Sequence, residues 1–365
     1  MTEKRRVAVL FGGRSSEHSI SCATAGGVLS AIDRDLFEVI PIGITRAGAF
    51  VLEDDDPAKF ALDPARLPEV VDNGSRVVWP ENATSRELSV SRPDGTVSSL
   101  GVVDVVFPIL HGRYGEDGTV QGLFELVGLP YVGSGVLASS VSMDKHFTKT
   151  VLQHAGIAVA PWATVSASGF RVDPGAARRA AEDLGYPVFV KPARAGSSVG
   201  VAKVEEPGTL DAAIADALTH DDRVLIESTV VGREVEIAVL EGRDGAAPRT
   251  SVAGEIVVSG RGFYDFDAKY LDAPGIDLVC PADLTDAEWE DMSRIASAVF
   301  ESVGAEGLAR VDFFLTDEGF VVNELNTLPG FTPISMFPKC WLASGLAYPE
   351  LITELLELAV ARGPR

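Results

Sequence analysis

Short apolar runs alternate with helical patterns along the first third of the chain. The runs at 6–11 (RVAVLF), 37–44 (FEVIPIGI) and 104–110 (DVVFPIL) are rich in β-branched and aromatic residues, which favours strands. Helical patterns occupy 16–31 and 118–127. The order strand, glycine turn, helix, strand is typical of a parallel α/β layer, which we predict for this region.

The remaining two thirds of the chain predict a mixed α+β arrangement. Residues 54–100 are acidic, proline-rich and weakly patterned, which predicts a peripheral insertion with some β-structure. The later elements are predicted as a helix at 142–156, strand–loop–strand at 186–204, strands at 222–229, 233–240 and 251–259, a glycine-rich aromatic loop at 260–277, a helix at 285–303, strands at 307–315 and 320–326, and a helix at 348–361. At about 100–200 residues per domain, the 365 residues suggest two or three domains. Changes of pattern divide the chain into 1–133, 134–227 and 228–365.

A segment near the C-terminus, GLARVDFFLTDEGFVVNELN, predicts a β-hairpin with polar residues on one face. Alternate residues of a strand point the same way, so Arg310 and Asp312 share a face, as do Glu324 and Asn326. A three-residue loop makes the two faces coincide, because it pairs Asp312 with Glu324 and Arg310 with Asn326. We therefore predict the loop DEG (317–319), with its glycine in the left-handed conformation.

This polar cluster has the chemistry of a hard-cation site. Mg²⁺ usually takes one or two carboxylates together with phosphate oxygens and water. Asp312, Glu324 and Asn326 are therefore candidate metal ligands, with Arg310 beside them. The alternative is a solvated hairpin face whose ion pair contributes little to stability. The apolar residues flanking these positions favour burial, and hence the metal site.

A loop rich in glycine and serine, VKPARAGSSVGV (190–201), follows a predicted strand directly. Its glycines allow close approach of backbone N–H groups, and the hydroxyls of Ser197 and Ser198 add donors, so the loop can cradle a phosphate. A plain hairpin turn explains the loop alone equally well. Lys191, at the end of an apolar strand, favours an anionic partner, and Lys145 can serve the same polyanion.

Two segments in the first third place polar residues where a parallel sheet binds ligands. Glu17 follows the glycine turn after the first strand, and His111 lies on the loop that follows the strand at 104–110. The alternatives are a helix-dipole acid for Glu17 and a structural histidine for His111. The segment 260–275 is a long aromatic loop; such loops are often lids or disordered, and its aromatic residues favour docking.

Composition restricts the choice of partners. The formal charge is -22, from 53 acidic and 31 basic residues, so repulsion disfavours nucleic acid and anionic membranes as partners. No apolar segment reaches the length of a membrane span, and the N-terminal apolar run is too short for a signal sequence. The three cysteines are far apart in the sequence and form no C-x-x-C motif, which favours a reducing, cytosolic setting.

Taken together, these motifs resemble the D-alanine–D-alanine ligase family of the ATP-grasp superfamily. The strings HGRYGEDGTVQG and RVDFFLTDEGFVVNELNTLPG are similar to the two family signatures, and MDK, PVFVKPARAGSSVG and FYDFDAKYL occur between them in the family's order. The resemblance covers essentially the full length. It implies an ATP-grasp fold preceded by a Rossmann-like parallel-sheet domain. The activity it implies is joining two D-alanines, at the cost of ATP, through an acyl phosphate, for peptidoglycan synthesis.

The resemblance also implies roles for individual residues. The implied catalytic residues are Glu17, Ser197, Tyr270, Arg310 and Gly330. The implied substrate-binding residues are Glu17, His111, Lys269, Arg310, Ser335 and Met336. The implied ATP-binding residues are Lys145, Lys191, Ser198, Glu227, Val230, Glu234, Lys269, Asn323 and Glu324. The implied ligands of two Mg²⁺ or Mn²⁺ ions are Asp312, Glu324 and Asn326.

The family further implies a cytoplasmic homodimer and leaves a K⁺ requirement open. Ser228 departs from its pattern, since many members carry lysine there. Relatives that make D-alanyl-D-lactate tend to lack the lid tyrosine, whereas this chain has Tyr270. The alternatives are a D-alanine–D-lactate or D-alanine–D-serine ligase on the same fold, and a nucleotide-binding regulator without catalysis.

Overall fold

The computed structural model of the protein describes residues 4–63, 66–258 and 276–365. Its N-terminal part is built on a largely parallel sheet. Strand β1 pairs in parallel with β2 and β7, and β3 adds an antiparallel edge, giving the order β3-β2-β1-β7. Both faces of β1 are buried, as a parallel sheet covered by helices requires. The elements here are β1 (Arg5–Gly12), α1 (His18–Ala31), β2 (Phe37–Ile44), β3 (Phe50–Leu52), β7 (Val105–Ile109) and α2 (Thr119–Leu126).

The acidic insertion predicted at 54–100 does contain β-structure. A 3-10 turn at Pro57–Phe60 is followed by a three-stranded antiparallel sheet of β4 (Arg76–Val78), β5 (Glu87–Ser91) and β6 (Val97–Val102). Val77 of β4 and Leu88 of β5 join the core under the N-terminal sheet. The insertion is therefore anchored by one face of this small sheet.

A second, antiparallel sheet forms the middle of the chain, in the order β10-β9-β11-β8. The helix predicted at 142–156 is only the second of two helices, because the side chain of Asp144 caps a new helix by accepting from the N–H groups of His146 and Phe147. Strand β8 and helices α5, α6 and α7 were not predicted. The elements are α3 (Val136–Met143), α4 (Lys145–His154), β8 (Trp162–Ser166), α5 (Ala167–Val172), α6 (Pro174–Leu184), β9 (Val188–Pro192), β10 (Ala202–Val204), α7 (Leu210–His220) and β11 (Arg223–Ser228).

A five-stranded antiparallel sheet in the order β14-β13-β12-β15-β16 forms the C-terminal part. Helix α8 begins with a capping box between Thr285 and Glu288. The predicted loop at 260–277 lies outside the described residues up to 275, and β14 starts at Ile276. The elements are β12 (Arg233–Leu240), β13 (Arg249–Val258), β14 (Ile276–Val279), α8 (Asp286–Ser302), β15 (Leu308–Thr316), β16 (Gly319–Asn326), α9 (Met336–Ala343), which was not predicted, and α10 (Tyr348–Arg362).

The hairpin of β15 and β16 has the predicted pairing but not the predicted loop. Thr316 pairs with Gly319, so the loop has two residues rather than three. A register shift then leaves Asn323 as an extra residue, because Phe313 pairs with Val322 whereas Asp312 pairs with Glu324. This β-bulge restores the parity that a two-residue loop would have lost.

The N-terminal and C-terminal parts of the chain meet through backbone at Gly133 and Gly307. A Cβ atom on Gly307 would lie 2.9 Å from the nitrogen of Gly133, and Gly307 has a φ of 70°. Next to this contact, Ser134 Oγ accepts from the Glu306 N–H at 3.1 Å. A side chain at position 307 would push these two segments apart.

We expect Gly307→Ala to destabilise the protein more than Gly304→Ala, since Gly304 has a similar φ of 67° but open space around it. The strained φ alone costs about 1–2 kcal/mol, and the backbone clash adds to that cost at Gly307. Thermal-denaturation midpoints of the two variants measure the difference. Equal midpoints would contradict a close backbone contact.

Candidate active site

A cavity of about 620 Å³ lies where the three sheet regions meet. Its wall includes loops after β1 and β7, the glycine- and serine-rich loop after β9, and one face of the β15–β16 hairpin. Of the residues implied by the family resemblance, those lining this cavity are Glu17, His111, Lys145, Ser197, Glu234, Arg310, Asp312, Asn323, Glu324, Asn326, Gly330, Ser335 and Met336.

Arg310 and Asp312 form a bidentate ion pair on one side of β15. Arg310 Nε and Nη2 donate to the two oxygens of Asp312, each at 2.7 Å. Glu236, opposite Asp312 in the neighbouring strand β12, lies 3.0 Å from Arg310 Nε. Burial opposes the charge of Arg310, but the two carboxylates outweigh it and raise its pKa well above the usual value. Arg310 is therefore a fixed cation.

The predicted metal ligands share one face of the hairpin. Asn326 Nδ2 donates to Asp312 Oδ2 at 3.0 Å, and Glu324 is paired with Asp312 across the ladder. Within the described ranges, no group of three or more His, Cys, Asp or Glu side chains is placed to hold a metal ion. A cation bound here would have two carboxylates and one amide available and would need further oxygen ligands. This donor set fits Mg²⁺ or Mn²⁺ bound together with phosphates.

The glycine- and serine-rich loop reaches across the cavity to the N-terminal sheet. Ser197 has a φ of 50°, and its hydroxyl donates to Glu17 Oε1. Lys145 Nζ donates to the carbonyl of Ala195 at 2.8 Å. Strands β9 and β10 pair as an antiparallel hairpin, as the plain-turn alternative predicted. The loop also docks against Glu17, which a plain turn does not require. Ser198 follows with a φ of 58° and is not among the cavity-lining residues.

Behind the cavity, Glu227 is buried between two lysines. Lys191 Nζ lies 3.2 Å from Glu227 Oε1, and Lys149 Nζ lies 3.4 Å from Oε2. Burial would raise the pKa of Glu227, but the two lysines lower it, so the carboxylate is charged. Burial lowers the pKa of Lys149. A cavity of about 20 Å³, lined in part by Lys145 and Lys149, adjoins this group.

Lys149 was not predicted from the sequence, although a signal was present. Lys145 and Lys149 are four residues apart on α4, so they share a helix face. Of the remaining predicted residues, Val230 is half-buried beyond β11 and lines neither cavity. Ser228 Oγ donates to the carbonyl of Leu184 at 3.2 Å. Lys269 and Tyr270 lie outside the described residues.

The loop after β7 holds the turn that follows β16. Leu328 has both backbone atoms engaged: its carbonyl accepts from His111 Nδ1 at 3.2 Å, and its N–H donates to Glu116 Oε1 at 3.3 Å. Glu116 Oε2 also accepts from Gly112 N–H at 2.5 Å. Burial lowers the pKa of His111, and its Nε2 has no partner in the described part of the chain. Burial, together with the charge of Glu17, raises the pKa of Glu116 to about 8.

The turn carries the cavity wall on to helix α9. Gly330 sits close to Ser335, since a Cβ on the glycine would lie 3.2 Å from Ser335 Oγ. Thr332 N–H donates to that hydroxyl at 3.2 Å. Met336 packs against Gly254 of β13, so that the start of α9 is fixed on the sheet.

Two family models match this chain, one described as D-ala D-ala ligase N-terminus over residues 6–134 and one as D-ala D-ala ligase C-terminus over residues 151–357. A D-alanine–D-alanine ligase of Pseudarthrobacter chlorophenolicus is 54% identical over 362 residues, covering 98% of this chain and 95% of that protein. One of Mycobacterium ulcerans is 49% identical over 367 residues, covering 99% of this chain and 97% of that protein.

Solved structures give the same picture. The VanG D-Ala:D-Ser ligase from Enterococcus faecalis has a TM-score of 0.83 at 36% identity, with 98% of this chain and 100% of that chain covered. The D-alanine-D-alanine ligase from Coxiella burnetii has a TM-score of 0.80 at 35% identity, with 99% and 95% covered. The fold, with a Rossmann-like sheet before two antiparallel sheets, is that of an ATP-grasp ligase. The chain belongs to the D-ala D-ala ligase family.

Glu116 gives a pH-dependent prediction. With a folded-state pKa of about 8 against an ordinary value of 4.5, the folded protein keeps a proton that the unfolded chain releases between these values. This contribution to the free energy of unfolding is therefore lost as the pH rises. Since Glu116→Gln stays uncharged, we expect its thermal midpoint, relative to wild type, to rise from about pH 5 to pH 8 in metal-free buffer.

The matched control is Glu318→Gln, which changes an exposed acid in the two-residue hairpin loop. Its midpoint should follow the wild-type curve across the same pH range. A constant difference between Glu116→Gln and wild type would show that Glu116 is already ionised in the folded protein.

Proposed function

We propose that this protein joins two D-alanines to D-alanyl-D-alanine, with ATP converted to ADP and phosphate through an acyl-phosphate intermediate. The product is a precursor for peptidoglycan. The observation that carries this proposal is that Glu17 and the Arg310–Asp312 pair line one cavity, in a chain that belongs to the ligase family. An anionic site for an amine and a cationic site for a transferring phosphoryl group thus share one cavity.

The hairpin face and the loop after β9 are the proposed phosphate site. Asp312, Glu324 and Asn326 would hold two Mg²⁺ or Mn²⁺ ions, and Lys145 and Ser198 would contact the phosphates. When bound, the divalent ions offset the repulsion between a carboxylate nucleophile and the phosphates. K⁺ is a further candidate cofactor, to which we assign none of the described cavity residues.

Arg310 and Gly330 are the proposed residues that stabilise developing negative charge. Arg310 is held rigidly by Asp312 and Glu236, so little reorganisation accompanies charge development on the transferring phosphoryl group. The Gly330 N–H, on the turn held through Leu328, would donate to the oxyanion of the tetrahedral intermediate. Both groups line the same cavity.

The two amino-acid sites are proposed on two different parts of the cavity wall. Glu17 would bind the ammonium group of the first D-alanine, with the neutral His111 close by. Ser335 and Met336, at the start of α9, would contact the carboxylate end of the second. The Glu17–Ser197 hydrogen bond supports a closing triad with Tyr270, and Lys269 would contact ATP and substrate there. Closure excludes water, which would hydrolyse the acyl phosphate.

The nucleotide base is proposed to lie beside the buried group of Glu227 and Lys191. Lys149 would position Glu227 from behind. The other proposed contacts on this side are Val230, Glu234 and Asn323. The rigid charge pairing at Glu227 supports this assignment, because a fixed carboxylate can select a hydrogen-bond donor on the base or ribose.

The three sheet regions support a division into 1–133, an N-terminal substrate domain, 134–227, a central subdomain with the phosphate loop, and 228–365, a C-terminal subdomain with the metal site. We infer a homodimer acting in the cytoplasm, as the family resemblance implies. None of the helices in the described ranges is long and apolar enough to cross a membrane.

Product analysis in competition tests the proposal. Purified protein is supplied with ATP, Mg²⁺, D-alanine, D-serine and D-lactate at equal concentrations and neutral pH, and phosphate and products are quantified. We expect phosphate release that depends on D-alanine, with D-alanyl-D-alanine as the main product. The likeness to a D-Ala:D-Ser ligase makes D-alanyl-D-serine the second candidate product. A dominant D-serine or D-lactate product would overturn the assignment, and absence of phosphate release would overturn the enzyme itself.

A further inference from the structure

Two cysteines that are 60 residues apart in the sequence lie side by side in the fold. The Sγ atoms of Cys280 and Cys340 are 3.7 Å apart. Cys280 directly follows β14 and is half-buried, whereas Cys340 is buried in α9. Both are free thiols, as is Cys22 in α1, which is fully buried. A disulfide has an S–S bond of about 2.05 Å, so closure needs an approach of less than about 2 Å.

The surroundings of the two thiols give them different reactivities. A hydrogen bond with Cys340 and the positive charge of Lys339 lower the pKa of Cys280. The same hydrogen bond and burial raise the pKa of Cys340. The half-buried Cys280 is therefore the more readily ionised thiol and the one that a small oxidant can reach, and Cys340 is the neighbouring thiol that can resolve the product.

The pair joins two elements of the cavity wall. Asp277 and Leu278 of β14 line the cavity. So do Lys339 of α9 and Ser335, the residue before α9. Helix α9 is held on β13 at its far end as well, because Val252 N–H donates to Ser344 Oγ at 2.8 Å. A bond between Cys280 and Cys340 would shift α9 against β14 while both remain attached to β13. The shift would reach the proposed site of the second D-alanine.

We propose that Cys280 and Cys340 form a reversible disulfide that lowers ligase activity, with a low-molecular-weight disulfide as the oxidant. The Cys280 thiolate attacks one sulfur of the oxidant, forms a mixed disulfide and releases one thiolate. Cys340 then attacks the Cys280 sulfur and releases the second. Two protein S–H bonds are replaced by one S–S bond, and two electrons and two protons leave on two small thiols. Intracellular disulfides of this kind are typically transient and redox-sensing.

The bond itself is tested on the full-length protein without substrates. The reduced protein is treated with glutathione disulfide, and its thiols are counted under denaturing conditions by alkylation and intact mass. We expect the thiol count to fall from three to one, with a mass about 2 Da lower and no retained glutathione. Dithiothreitol should reverse the change. Cys22→Ala should still lose two thiols, whereas Cys280→Ser and Cys340→Ala should form no intramolecular bond. Three remaining thiols in the treated wild type, or intramolecular oxidation in Cys280→Ser, would overturn the proposal.

The effect on activity rests on the proposed function and has its own readout. We expect oxidation to lower kcat/KM for D-alanine by about tenfold. This is a smaller effect than the roughly 100-fold that a 1 Å displacement in an active site can cost. Dithiothreitol should restore it, and Cys280→Ser should keep its rate after the same treatment. An oxidised protein with unchanged turnover would overturn the regulatory role. Absence of turnover in the reduced protein would instead count against the proposed function, while the thiol count still decides whether the disulfide forms.

Discussion

The buried charge of Arg310 is the interaction on which the site depends. A guanidinium in the middle of a sheet is stable only with partners, and Asp312 and Glu236 supply them from its own strand and the neighbouring one. Removing one partner of such a pair typically costs about 3–5 kcal/mol, because the other charge remains buried. The pair also fixes the Asp312 carboxylate beside Glu324 and Asn326. One compensated charge thereby places the proposed phosphoryl-binding cation and the proposed metal ligands on one face.

A second constraint couples this face to the N-terminal sheet. Leu328, two residues beyond β16, is hydrogen-bonded through its carbonyl to His111 and through its N–H to Glu116. From the other side, the Ser197 hydroxyl reaches Glu17. The cavity is therefore assembled from three parts of the chain, none of which contains the proposed chemistry alone. Burial opposes charge at this junction and raises the pKa of Glu116. The Glu116 carboxyl accepts from two backbone N–H groups and so holds the turn in place.

The alternation of residues was enough to predict which hairpin side chains meet, and the motifs and the family resemblance together supplied 13 of the residues that line the cavity. The hairpin loop was predicted wrongly, because a β-bulge at Asn323 and a shorter loop give the same parity as a longer loop without a bulge. Helix α3 was missed, and the predicted helix at 142–156 ran across Asp144, whose extended backbone ends α3 and begins α4. The spacing from Lys145 was a local signal for Lys149, but the pairing of Lys149 with Glu227 and the closeness of Cys280 to Cys340 depend on packing between distant segments. Local pattern carries no information on such contacts.

The central claim is that Asp312 holds a divalent ion next to Arg310. The most direct measurement is the Mn²⁺ or Mg²⁺ dependence of D-alanine-dependent phosphate release in Asp312→Asn, with Asp317→Asn in the exposed hairpin loop as the matched control. We predict that Asp312→Asn lowers turnover by more than about 100-fold at every metal concentration, with the protein still folded, while Asp317→Asn behaves like wild type. Near-wild-type turnover and metal dependence in Asp312→Asn would contradict the claim.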